Sequence, residues 1–202
     1  MQGIIKVILN LFSRKFLIKI SLILKPFFEL IFKGDRFVDP INNKSYSYFF
    51  PYGYNKLRKN ALSPGTLSLE RHRLLWIFLE KETDFFNTEN KILHIAPEQC
   101  FYKSFKKNFE SYTTCDLNSP IAEIKADVCN LPFDENEFDF VLCNHVLEHV
   151  YDDEKAMKEI YRVLKHEGKA ILQVPVDNAL EKTIDGSCLL YTSDAADETA
   201  GV

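Results

Sequence analysis

The sequence lacks a Cys-x-x-Cys pair, a glycine-rich loop and any long uncharged apolar run in its first segment. Its five cysteines, Cys100, Cys115, Cys129, Cys143 and Cys188, are too few and too scattered for a disulfide framework. A reducing, cytoplasmic setting is therefore expected, with the strand cysteines serving as small buried apolar side chains. The seven glycines nowhere form Gly-x-Gly-x-x-Gly, so the fingerprint on which a dinucleotide-dependent oxidoreductase relies is missing. Between Ile4 and Phe32 no uncharged run exceeds seven residues, far short of the ~20 needed to span a bilayer. Net positive charge is lacking outside the N-terminal arm. Residues 1–38 hold seven Lys/Arg against two Asp/Glu, a balance of +5 that leaves −9 for the rest of a chain whose net charge is −4. An acidic body argues against general nucleic-acid binding there and directs any attraction for anions to the arm.

What the chain does have is a repeating strand–helix pattern from Lys91 to Pro175. Ile92, Leu93 and Ile95 form a short apolar run ending at Ala96-Pro97, as a buried parallel strand ends at a ligand-binding turn. A helix is predicted from about Gln99 to Phe109, then a strand at Tyr112–Leu117 whose acid, Asp116, lies 20 residues beyond Ala96. That separation suits a ribose-binding carboxylate in a nucleotide-binding βαβ unit. Further strands are predicted at Ile124–Val128, Glu137–Asn144 and Lys169–Pro175. Between the last two, a helix over Asp152–Lys165 carries Ala156, Ile160, Val163 and Leu164 at helical spacing, closed by Gly168 at a C′ position. Such alternation predicts an α/β fold with a doubly wound, Rossmann-like parallel sheet.

Four ordered motifs carry a resemblance. They are Asp127-Val128-Cys129-Asn130-Leu131-Pro132-Phe133, Phe138-Asp139-Phe140-Val141, Leu147-Glu148-His149-Val150, and the Glu159–Gly168 segment. Together they resemble the class I S-adenosylmethionine-dependent methyltransferases, in the type 11 branch. The resemblance implies S-adenosylmethionine as cofactor and methyl transfer to an acceptor it does not identify. It also implies roles. The turn with His94, Ala96, Pro97 and Glu98 would face the methionine portion, and Asp116, beside Leu117, would accept the ribose hydroxyls. Asp127 and Val128 would hold adenine, while Asn144, His145 and Val146 would line the pocket. No glycine occupies the turn, where the family usually has three. His145 and His149 are four apart and on a helix would share a face with Glu148. No third ligand accompanies them, so no metal is expected. Pocket lining and, for His145, general-base catalysis are the remaining roles. The alternative reading is a non-catalytic module of this fold that binds a membrane surface or a partner protein.

The rest of the chain divides into an arm, a cap and a tail. Residues 1–33 read as a basic amphipathic helical arm, kinked or divided at Pro26, which could lie on a membrane surface, pack on the enzyme or a second subunit, or be a cleaved signal. Peripheral attachment to the inner face of a membrane is one localisation this allows. Residues 34–68 read as a small cap of loops and short strands rich in aromatics, which serve packing. Phe50-Pro51-Tyr52-Gly53 and Ser68–Trp76 resemble the leader of a methyltransferase subgroup with an N-terminal zinc ribbon. The resemblance places the ribbon's cysteines at Asp39, Asn42, Ser63 and Thr66, residues that cannot form a zinc site. His72 is expected to pack, and Ser68 to cap the helix Leu69–Lys81. Residues 69–186 form the methyltransferase-like domain. Within 187–202, Cys188–Glu198 resembles translated sequencing adapter, which would end the native sequence near Ser187 and leave later strands outside the chain.

Overall fold

The computed structural model describes residues 14–53 and 57–175. The expectations for Met1–Ser13 and for Val176–Val202, adapter-like tail included, lie outside the described residues. The chain forms two compact units, one of residues 1–52 and 57–77, the other of residues 53–56 and 78–202.

In the first unit, helix α1 runs from Arg14 to Ile31. It continues through Pro26 as one helix and is not divided there. A proline inside a helix removes one amide donor and crowds the preceding turn. Here Pro26 is exposed, so the freed carbonyl can turn to water. Strands β1 (Lys33–Asp39) and β2 (Lys44–Tyr46) pair antiparallel, as do β3 (Phe50–Tyr52) and β4 (Arg58–Leu62). The centre of this small unit is largely aromatic: Tyr46, Phe49 and Trp76 are buried, and the Arg73 guanidinium lies 4.7 Å over the Phe49 ring. Helix α2 (Glu70–Glu82) begins here. Its cap is Leu69, not Ser68: the Leu69 carbonyl accepts from the Arg73 amide, and its own N–H donates to His72 Nδ1 at 3.1 Å. His72 thus performs the return half of a capping box.

Three of the four positions matched to ribbon cysteines, Asp39, Ser63 and Thr66, meet through one buried carboxylate. Asp39, fully enclosed, accepts hydrogen bonds at Oδ2 from the hydroxyls of Ser63, Thr66 (2.5 Å) and Ser68 (3.4 Å), and at Oδ1 from the Ile41 amide (3.0 Å). Asn42 Nδ2 donates to the Tyr46 hydroxyl at 2.8 Å. A Cβ on Gly65 would fall 1.8 Å from that hydroxyl, so only glycine fits there. Among the described residues no group of three His, Cys, Asp or Glu side chains is arranged to hold a metal ion.

The second unit is an α/β sandwich. Strands β5 (Ile92–Ile95), β6 (Tyr112–Asp116), β7 (Ile124–Lys125), β8 (Phe138–Asn144) and β9 (Leu164–Gln173) form a wholly parallel sheet in the order β7-β6-β5-β8-β9. Helix α3 (Gln99–Asn108) connects β5 to β6, and α4 (Asp153–Val163) connects β8 to β9. The two-residue side-chain period sorts the strands onto two faces. Leu93, Ile95, Cys115, Val141 and Cys143 pack with Ala156, Ile160 and Val163 of α4. On the other face, His94 and Tyr112 meet Phe101 and Phe105 of α3, while Phe85 touches Phe105, Phe109 and Phe140 at ring separations of 5.1–5.2 Å. Burial pushes the Cys115 and Cys143 thiols up to about 12, as befits packing residues.

Two boundaries differ from those the sequence suggests. Helix α4 ends at Val163 with an extended Leu164, and Gly168 is not its C′ residue. Instead β9 begins at once, and the chain bulges between the Phe138/Leu164 and Phe140/Lys169 pairs, with Glu167 taking the positive φ of 70°. Strand β7 is only two residues long. Val128, expected on a longer strand, lies beyond it in the core.

Candidate active site

Strand order reverses at β5: β6 lies on one side and β8 on the other. In an open parallel sheet the crevice at that reversal, beyond the carboxyl ends of the strands, is where ligands bind. Ala96–Gln99, Asp116–Ser119 and Asn144–His149 lie at or just beyond the carboxyl ends of β5, β6 and β8.

The β5–α3 turn starts at Ala96, whose φ is 50°. Left-handed backbone costs a residue with a Cβ about 1 kcal/mol, so alanine adopts here what glycine would adopt freely. Its N–H is held by the Cys115 carbonyl at 2.9 Å. Pro97 is buried. Glu98 is the N-cap of α3, but its side chain does not cap the helix. It turns inward, where Oε2 meets His94 Nε2 at 2.5 Å and Oε1 accepts from Asn144 Nδ2 at 3.1 Å. His94 is fully enclosed, and its Nδ1 lies 2.8 Å from the Tyr112 hydroxyl. A carboxylate can only accept, so Nε2 bears the ring proton and Nδ1 takes the Tyr112 proton in the neutral ring. Burial, and then the Glu98 charge, raise the Tyr112 pKa and keep it a hydroxyl. His94 therefore acts on the turn through Glu98, from beneath it.

At the end of β6, Asp116 Oδ1 accepts from the Asn118 amide (2.6 Å) and from the Ser119 amide. One oxygen builds the loop; the other takes no part in these two bonds. Leu117 beside it is half exposed. Asp127 is exposed and accepts from the Cys129 amide at 2.9 Å. Val128 points into the hydrophobic core, so its side chain does not present a surface to a ring.

At the end of β8, Asn144 is buried, and His145 just past it has a φ of 54°. His145 is therefore not helical and does not share a helix face with His149; the helical turn begins only at Leu147. Its Nδ1 is 3.4 Å from Glu148 Oε1, and its N–H donates to the Gln173 carbonyl at 2.8 Å. Val146 packs against the core. Asn144 Oδ1, both Glu148 oxygens, Gln99 Nε2, His149 Nε2 and Gln173 Oε1 are buried without a hydrogen-bond partner. Buried polar atoms are ordinarily satisfied. Orphans of both kinds, donor and acceptor, gathered on the β5, β8 and β9 ends fit a polar ligand. Sequence reasoning missed Gln99, Tyr112 and Gln173. Gln173 had a signal, as the polar residue in an apolar strand directly opposite Asn144 in parallel register.

Residues 90–172 match the methyltransferase domain family. An uncharacterized protein of Methanocaldococcus jannaschii is 48% identical over 60 residues, 30% of this chain and 26% of that protein. A 2-phytyl-1,4-naphtoquinone methyltransferase of Nostoc punctiforme is 44% identical over 52 residues, 26% of this chain and 23% of that one. A demethylmenaquinone methyltransferase of Staphylococcus carnosus is 43% identical over 53 residues, 26% and 22% of the two chains. The chain thus spans about a quarter of the length of these curated relatives. Among solved structures, the YcgJ protein of Bacillus subtilis shares 22% identity with a TM-score of 0.43, over 51% of this chain and 50% of that one.

Proposed function

We propose that this chain, whose residues 90–172 match the methyltransferase domain family, is an S-adenosylmethionine-dependent methyltransferase that transfers a methyl group to a small lipophilic acceptor. The observation that carries the cofactor half is Asp116. It sits at the end of the strand beside the switch point with one carboxylate oxygen fixed and the other outside those bonds, which suits two ribose hydroxyls. Glu98 and the orphaned atoms of Asn144 and Gln99 supply acceptors and a donor for an amino-acid moiety. Asp127 offers a carboxylate to an exocyclic amine.

When bound, S-adenosylmethionine supplies a methyl group on a sulfonium, open to in-line displacement. The chain's part is to hold the acceptor in line, exclude water and take a proton. His145 is the group for that proton. Its Nε2 is the ring nitrogen turned from Glu148, whose Oε1 lies 3.4 Å from Nδ1. The acceptor class rests on the names of two relatives, which act on phytyl-naphthoquinone and demethylmenaquinone.

Calorimetric titration of S-adenosylmethionine tests the reading. Parent protein should bind, and Asp116→Ala should bind about a hundredfold more weakly, the loss of two charge-assisted hydrogen bonds. Asp116→Asn, which retains the Oδ1 acceptor for the loop, separates loss of contact from loss of the loop. His145→Ala should bind cofactor normally. A folded parent that gives no heat would return the chain to the non-catalytic alternative.

A further inference from the structure

Helix α1 leaves a large apolar face bare. Ile20, Ile23, Leu24, Phe27, Leu30 and Ile31 follow one another at steps of three, one, three, three and one, a single stripe on a helix. All are exposed, Ile23 and Leu30 each to 75% and Phe27 to 58%. The helix is not loose. On its other side Phe28 and Phe32 stack edge-on against Phe50, at 5.4 and 4.9 Å between ring centres, and Glu29 pairs with Lys44 at 2.6 Å. One side is thus docked on the β3 edge of its own unit, and the bare stripe is held outward.

Charge says what the stripe would meet. The first unit carries twelve Lys/Arg against four Asp/Glu, a net +8, whereas the second carries thirteen against twenty-five, a net −12. A second copy of so basic a unit would be repelled, and an anionic surface attracted. No helix among the described residues is long and apolar enough to cross a membrane. An apolar stripe on a strongly basic unit is the arrangement of a helix lying in the plane of a lipid interface. We propose that the Ile20–Ile31 stripe seats this protein on an anionic lipid surface, its apolar side chains in the acyl boundary and the surrounding cations at the headgroups. The inference rests on the first unit alone and needs neither cofactor nor acceptor.

The test is co-sedimentation of the full chain with vesicles of phosphatidylcholine, or of equal parts phosphatidylcholine and phosphatidylglycerol, at low and high salt. The parent should pellet with the anionic vesicles at least about tenfold more tightly than with the neutral ones, and salt should narrow that gap. Ile23→Glu/Leu30→Glu should weaken anionic-vesicle binding by about tenfold or more, and Ile23→Ser/Leu30→Ser by less. Both pairs lie in solvent, and the fluorescence of Trp76 reports whether the unit stays folded. The proposal is overturned if the folded parent does not pellet, or if it binds neutral vesicles equally well. It is also overturned if the glutamate pair binds as the parent does, which would mark a purely electrostatic contact with any polyanion. Self-association abolished by the glutamate pair, without vesicle binding, would assign the stripe to a second copy instead.

Discussion

Replacing Asp39 tests whether the hydroxyl cluster is what holds the first unit together. Its carboxylate is fully buried and accepts four hydrogen bonds, from Ser63, Thr66, Ser68 and the Ile41 amide. Hydrogen bonds to a charged group contribute about 1.5–3 kcal/mol each but share one acceptor and do not add, and the released donors would stay buried. Asp39→Ala should therefore cost about 3–4 kcal/mol, since four buried donors lose their acceptor. Asp39→Asn should cost about 1–2 kcal/mol, because it keeps Oδ1 for Ile41 and two of the three hydroxyls can rotate to accept from its amide. The single tryptophan, Trp76, lies in the same unit, so its fluorescence in urea reads this unit directly. With a slope of about 1–1.5 kcal/mol per molar, the alanine midpoint should fall by roughly 2–4 M and the asparagine midpoint by about 1–2 M. An unchanged midpoint for Asp39→Ala would refute the view that these four donors bind the unit through one carboxylate.

Other consequences follow from the second unit. Arg162 clamps the loop before β8: it donates to the Leu131 and Phe133 carbonyls and to Glu159, whose Oε2 also accepts from the Leu131 amide. The Arg162 hydrogen bond lowers the Glu159 pKa below its ordinary 4.5. A carboxyl lowered in the folded state contributes stability above that value, which is lost as pH falls through the lowered one. The difference in unfolding free energy between parent and Glu159→Gln, about 1–2 kcal/mol at neutral pH, should accordingly shrink below pH 4.5 in urea denaturation. Phe85→Ala should destabilise by about 3–5 kcal/mol in thermal or urea unfolding, since it empties the centre of an aromatic cluster. Alkylation at pH 8 followed by peptide mapping should leave Cys115 and Cys143 unmodified in the native protein, their thiols buried and shifted to about 12.

The sequence by itself determined the order of strands and helices in the second unit, because short apolar runs and helical spacing are local and each run is long enough to declare its period. It also determined which loops could carry chemistry, since those follow the carboxyl ends of parallel strands whatever the side chains do. It did not reveal which way individual residues face. His94 lies on the α3 face and reaches the site only through Glu98, and Val128 turns into the core because β7 stops after two residues. Both outcomes depend on how helices and loops dock on the sheet. The helix end at Val163 and the bulge at Glu167 likewise come from the register that β9 adopts against β8. Most clearly, Asp39 meets Ser63, Thr66 and Ser68 across 24 to 29 residues of chain. No local pattern encodes that meeting. Two hairpins and the start of α2 bring the four together, and burial makes their hydrogen bonds matter.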